Sequence, residues 1–160
     1  MASAELPLNG IRVLDLTTTI FVPLTGQILG DFGADVIKVE PPGGDTTRNV
    51  GPKRSEGMGS LFLGTNRNKR SVILDLKTNA GKDALWALVA TADVFIHNMR
   101  AQKMADLGFS PKSVLKKFPE LIYGQLQGYL TEGPYGGRPA YDDVIQGEAG
   151  IAGSFQARDG

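Results

Sequence analysis

The stretch GIRVLDLTTTIFVPLTGQILGDFGADVIKVEPPGGD, Gly10 to Asp45, limits the possible folds more than any other part of the chain. An apolar run, Ile11 to Leu16, passes through a threonine-rich turn into helix-like spacing and returns to a second apolar run, Ala34 to Glu40. That is the pattern of a β-α-β unit. Val36, Ile37 and Val39 are nearly continuous, as suits a strand covered on both faces in a parallel sheet. Between the runs, Leu24, Ile28, Leu29 and Phe32 recur at three- and four-residue steps, which predicts one helical face lying on the sheet. Pro23 falls in the first turn of that helix and Gly33 just past its end. In an open parallel sheet the ligand crevice lies beyond the carboxyl ends of the strands, so Asp15 to Val22 and Glu40 to Asp45 are expected beside it.

The rest of the chain continues the alternation. Residues 1–9 read as a leader. Pro41 to Ser60 is a Gly- and Pro-rich segment of a length that is usually functional or mobile. Leu61 to Thr65 reads as a short turn, Ser71 to Leu76 as a third strand, and Lys77 to Ala92 as a helix capped by Thr78 with Leu85, Leu88, Val89 and Ala92 on one face. Asp93 to Asn98 is a fourth strand. A brief helix, Ala101 to Leu107, closes on Gly108; Ser110 and Pro111 start another, with Val114, Leu115 and Phe118 inward. Leu121 to Gln127 is a fifth strand, and Tyr141 to Gly153 a helix rich in small residues. This order predicts an α/β fold, a doubly wound, mostly parallel, Rossmann-like sheet with helices on both faces.

Composition narrows the function. Seventeen basic against seventeen acidic residues leave no net field to recruit nucleic acid or anionic lipid. Apolar runs are far shorter than a membrane span, and MASAELPLNG has no secretory pattern. With no cysteine and a single histidine, His97, neither a metal site nor a thiol nucleophile is expected. The expected compartment is cytoplasmic, or mitochondrial or peroxisomal in a eukaryote. The closing Arg-Asp-Gly reads as a cut rather than a finish.

Candidate chemistry is sparse. GTNRNKRS lacks the second glycine of a Walker A loop, and Gly26, Gly30 and Gly33 do not form a dinucleotide fingerprint. Arg67, Lys69 and Arg70, with Lys77 beyond them, read first as a solvated loop and second as a phosphate-binding cluster. Asp15 reads as a buried, hydrogen-bonded carboxylate, Asp142 and Asp143 as first-turn helix residues, and His97 as structural. Residue spacing alone leads to a nucleotide-like ligand on a doubly wound sheet.

The wording of the sequence goes further. GIRVLDLT, LGDFGADVIKVEPPGGDTTR, TNRNKRSVILDLKTNAGKDAL, ADVFIHNMR and LGFSPKSVLKKFPELIYGQLQGYLTEGPYGGRPAYDDVIQGEAG resemble the family III CoA-transferases, in order, from about Leu8 onward. The resemblance implies that coenzyme A or acyl-CoA binds as substrate, with no permanently bound cofactor. It implies contacts from Ile20 and Phe21 near the thioester, from Leu74, Asp75, Leu76 and Lys77 to adenine and phosphate, from Asn98, Met99 and Arg100, and from Arg138, Pro139, Ala140 and Tyr141. Formyl-CoA transferase has arginines where this chain has Pro41 and Asp106, so phosphate contacts there are lost or supplied by Arg100, Lys103 or the Arg67 cluster.

By the same resemblance the reaction moves CoA from an acyl-CoA to a carboxylic acid through an aspartyl intermediate. No aspartate of this chain matches the reacting one. Residues 10–160 then correspond to the N-terminal part of the CoA-binding domain, incomplete relative to the family, with the small domain and the linkers of its interlocked homodimer absent. The isolated chain is expected to be inactive. Other readings are a non-catalytic CoA or nucleotide module, one half of a split enzyme, or an acyl-CoA racemase fragment; Tyr141, standing where the racemases carry a histidine, speaks against the last.

Overall fold

In the computed structural model, which describes residues 5–159, five strands pair into one sheet. Its strands are β1 (Arg12–Leu16), β2 (Asp35–Glu40), β3 (Lys69–Ile73), β4 (Val94–His97) and β5 (Ile122–Gln125), in the order β3-β2-β1-β4-β5. Every neighbouring pair is parallel, so the doubly wound expectation holds. From β1 the chain adds β2 and β3 on one side, then crosses to add β4 and β5 on the other. The winding direction therefore reverses between β1 and β4, and the connections leaving these two strands diverge there.

The chain divides into two units, Met1–Leu126 and Gln127–Gly160. In the first, register sets what each face of the sheet carries. Leu14, Ile37, Phe95 and Tyr123 form one row across four strands. They pack with Leu85 and Val89 of α3 (Asn79–Val89), Met104 and Leu107 of α4 (Ala101–Leu107), and Val114 of α5 (Pro111–Lys117). Each such side chain contributes roughly 1.5–3 kcal/mol by leaving water. One residue further on, the row reads Asp15, Lys38, Ser71, Ile96 and Gly124, on the opposite face. This is the face that α1 (Phe21–Asp31) covers, since its Gly26 stands against Asp15.

The side of α1 turned to the sheet differs from the one periodicity selects. Val22, Pro23, Gly26 and Gln27 are buried, whereas Leu24, Ile28 and Phe32 are 39, 45 and 50% exposed; Leu29 packs into the core. Closeness is the reason. A Cβ on Gly26 would stand 2.5 Å from Asp15 Oδ2, and one on Gly30 3.0 Å from the Asn68 carbonyl oxygen. Only small residues allow that approach. Gly33 ends the helix with φ +102°, as its position suggests.

Three further boundaries move. β3 begins and ends earlier than Ser71 to Leu76, so residues 74–77 follow the strand instead of forming it. Leu115 is 36% exposed, because α5 turns Val114 inward. The 41–60 segment is partly pinned: Asp45 caps a 3₁₀ turn, Thr46–Asn49, and Arg48 both chelates Glu40 and lies 3.7 Å from the Phe62 ring centroid. Phe62 belongs to α2 (Ser60–Thr65). The Thr78 cap and the Gly108 stop (φ +92°) stand as read from the sequence.

The second unit holds α6 (Asp142–Glu148) and α7 (Ile151–Asp159). The single small-residue helix expected there is broken at Gly150, whose φ of +73° no helix accommodates. Asp142 and Asp143 occupy the first turn of α6, and Val144, Ile151 and Phe155 are exposed.

Candidate functional site

The loop after β1 is held at consecutive residues. Asp15, fully buried, accepts hydrogen bonds from the Thr17 amide and hydroxyl. Lys38 Nζ donates to the Thr17 carbonyl at 2.7 Å. Asn98, just past β4, takes both backbone groups of the next residue: its Oδ1 accepts from Thr18 N at 3.0 Å and its Nδ2 donates to Thr18 O at 2.9 Å. Thr19 then adopts φ +75°, a costly value for a β-branched residue, and one that persists only where its surroundings over-determine it. Ile20 and Phe21 follow, 45% and 62% exposed, at the start of α1. That helix has no side-chain cap and no acidic residue in its first turn, so no carboxylate there offsets its positive end.

Beneath this loop lies a buried set of charges. Lys69 Nζ meets Asp15 at 2.8 Å, and also donates to Pro23 O and Asn66 Oδ1. Lys38 meets Asp45 at 2.8 Å, with both side chains 1% exposed. Glu40 accepts two bonds from Arg48, one from Ser71 Oγ and one from Asp45 N. Burial raises the Glu40 carboxyl, but these donors outweigh it and bring its pKa to about 2. Three acids and three bases thus neutralise one another, as a dry site requires. The sequence reading recovers Asp15 alone of the six as buried; the signal for two others was a lysine and a glutamate set inside the apolar run VIKVE.

A family model described as CoA-transferase family III matches residues 8–159. The chain belongs to CoA-transferase family III. It is 41% identical to the succinate–glutarate CoA-transferase of Agrobacterium fabrum over 94% of this chain and 40% of that protein. It is 38% identical to the succinyl-CoA:glutarate CoA-transferase of Mus musculus over 91% of this chain and 34% of that one. A crystal structure of a CAIB/BAIF family protein from Brucella suis superposes with a TM-score of 0.88 at 41% identity, covering 92% of this chain and 40% of that one. The chain thus spans about two-fifths or less of the length of these relatives.

Within this family III chain, the residues singled out by resemblance are distributed as follows. Ile20 and Phe21 follow Thr18, which two hydrogen bonds join to Asn98, the first residue of the 98–100 segment, across the β1–β4 reversal. Arg100 caps α4 and is exposed, while Met99 packs partly into the core. Residues 74–77 lie past β3, the edge strand beyond β2. There Leu74 and Leu76 pack on the core, and Asp75 shapes a turn by accepting from Lys77 N and, through its carbonyl, from Thr78. Lys77 alone of the four is exposed. Among the described residues neither Lys77 nor Arg100 forms an ion pair. Arg138, Pro139, Ala140 and Tyr141 belong to the second unit, are exposed, and precede α6; Arg138 lies 4.9 Å from the Tyr135 ring centroid.

Two expectations are corrected by this geometry. The solvated reading of the Arg67 cluster fails for Lys69, which is 2% exposed in its ion pair, and holds for the exposed Arg67 and Arg70. Nor can the cluster replace lost phosphate contacts at the carboxyl edge, because it stands at the amino end of β3 with Arg67 bound to Asp31 and Arg70 to Asp35. A polar hollow of about 520 Å³ also lies at the amino edge, lined by Arg12, Asp35 and Asp93, opposite the loops just described. His97 is structural. Tyr123 OH donates to Phe109 O, so it accepts from His97 Nε2–H, and burial lowers the imidazole pKa to about 4. Among the described residues no helix is long and apolar enough to cross a membrane.

Proposed function

We propose that this chain supplies the coenzyme A site of a family III CoA-transferase that moves CoA from an acyl-CoA to a carboxylic acid. What supports this most is the pairing of two matched segments, 18–21 and 98–100, across the strand reversal where open α/β sheets take their ligands. Arg100 and Lys77, in no ion pair among the described residues, supply charge for phosphates. Ile20 and Phe21 supply exposed apolar surface for the pantetheine arm.

The reaction balances without redox chemistry. An aspartate carboxylate attacks the thioester carbonyl, the C–S bond breaks, and CoA leaves as thiolate from a mixed anhydride. The thiolate then attacks the aspartyl carbonyl and releases the donor acid. The acceptor carboxylate displaces CoA from that aspartyl thioester, and the thiolate attacks the acceptor's acyl carbon to restore the aspartate. By the resemblance none of this chain's aspartates stands at the nucleophile's position; in support, Asp15 and Asp45 are buried in ion pairs, and Asp142 and Asp143 sit in the first turn of α6, where the helix dipole favours them.

Incubation with succinyl-CoA and glutarate therefore yields no exchanged thioester, while calorimetry with CoA registers binding. Reproducible turnover by the chain alone would refute the absent nucleophile.

A further inference from the structure

We infer that Asn98 is a positioning residue for the thioester end of CoA, acting through Thr18 instead of touching the ligand. This rests on the CoA reading above. Asn98 engages both backbone groups of one residue, accepting from Thr18 N at 3.0 Å and donating to Thr18 O at 2.9 Å. The next residue, Thr19, sits at φ +75°. A residue in that region persists only where the surrounding structure over-determines it. Asp15 and Lys38 fix Thr17 from below, and Asn98 fixes Thr18 from across the crevice.

The consequence is directional. Releasing Thr18 lets Thr19 relax to negative φ, which rotates Ile20 and Phe21 but leaves Lys77, past β3, where it is. Asn98 thus sets the pantetheine wall without altering the phosphate end.

The test is calorimetric titration of parent, Asn98→Ala and Asn98→Leu chains with two probes, CoA and adenosine 3′,5′-bisphosphate, which lacks the pantetheine arm. Loss of the two bonds is expected to weaken CoA about tenfold while the bisphosphate holds within about twofold. Amide exchange over residues 17–21 rises, and the circular dichroism spectrum stays unchanged. Asn98→Leu keeps the branched side-chain outline without its donor and acceptor, and carries the test if the alanine variant does not fold. Equal losses for both probes, or no loss for CoA, would overturn the inference. A parent chain that binds neither probe would instead overturn the CoA reading on which it rests.

Discussion

Lys69 Nζ lies 2.8 Å from Asp15 Oδ2 with both side chains sealed from solvent, and Gly26 is what leaves room for them. The pair joins the start of β3 to the end of β1 beneath a helix that has no side chain at that point. Lys69 keeps its proton against a burial penalty that lowers its pKa, because Asp15 lies beside it. The loop that begins at Thr17 stands on this arrangement.

Gly26→Ala is expected to destabilise the chain by about 2 kcal/mol, since the new methyl would come within 2.5 Å of Asp15 Oδ2 and 3.1 Å of Lys69 Nζ. Gly64→Ala is the control. Its Cβ meets nothing within 4 Å, and the lower unfolded-state entropy should stabilise by about 0.5 kcal/mol. Urea denaturation compares the two; equal effects would contradict the close approach of α1.

Acid should unfold the chain in two windows. The Glu40 pKa falls from 4.5 to about 2 on folding, so its contribution is complete above 4.5 and drains as the pH drops toward 2. Burial holds His97 at about 4 instead of 6.5. The unfolded chain takes up that proton first, so stability also falls between pH 6.5 and 4. Stability measured against pH should lose its lower slope in Glu40→Gln and its upper slope in His97→Gln. Unaltered slopes in both variants would show that neither group is held as described.

Arg100→Ala and Lys77→Ala should each weaken CoA binding about five- to tenfold and leave the melting temperature unchanged, because no ion pair is broken. Arg67→Ala should leave CoA affinity unchanged, since its guanidinium engages Asp31 at the other edge of the sheet. Titrations at two salt concentrations check the electrostatic origin: the affinity of the parent chain should fall with salt, and less steeply once Arg100 is gone. An Arg67→Ala loss equal to that of Arg100→Ala would reverse the assignment of edges.

The parallel, doubly wound class was legible because apolar runs alternate with helical spacing, and both signals are local. The face of α1 was not. Periodicity weighs Leu24, Ile28 and Phe32 above glycine, whereas the requirement here is room for Asp15 and Lys69, residues 54 positions apart in sequence. The charge set was half visible, in the Lys38 and Glu40 of VIKVE, but a strand inside a sheet reads as apolar on both faces unless its partners are known. The Thr18–Asn98 clamp spans 80 residues and has no sequence signature. Resemblance marked Asn98 as important, and only geometry indicates that its amide is already engaged.

The most direct measurement is a ¹⁵N–¹H spectrum of the labelled chain as CoA is added. Shifts should concentrate at Thr18 to Phe21, at Asn98 to Arg100 and at Lys77, and leave the amides of Arg67, Arg70 and Arg12 at the opposite edge in place. A spectrum of folded protein that CoA does not move, or that moves only at the amino edge, would contradict the account.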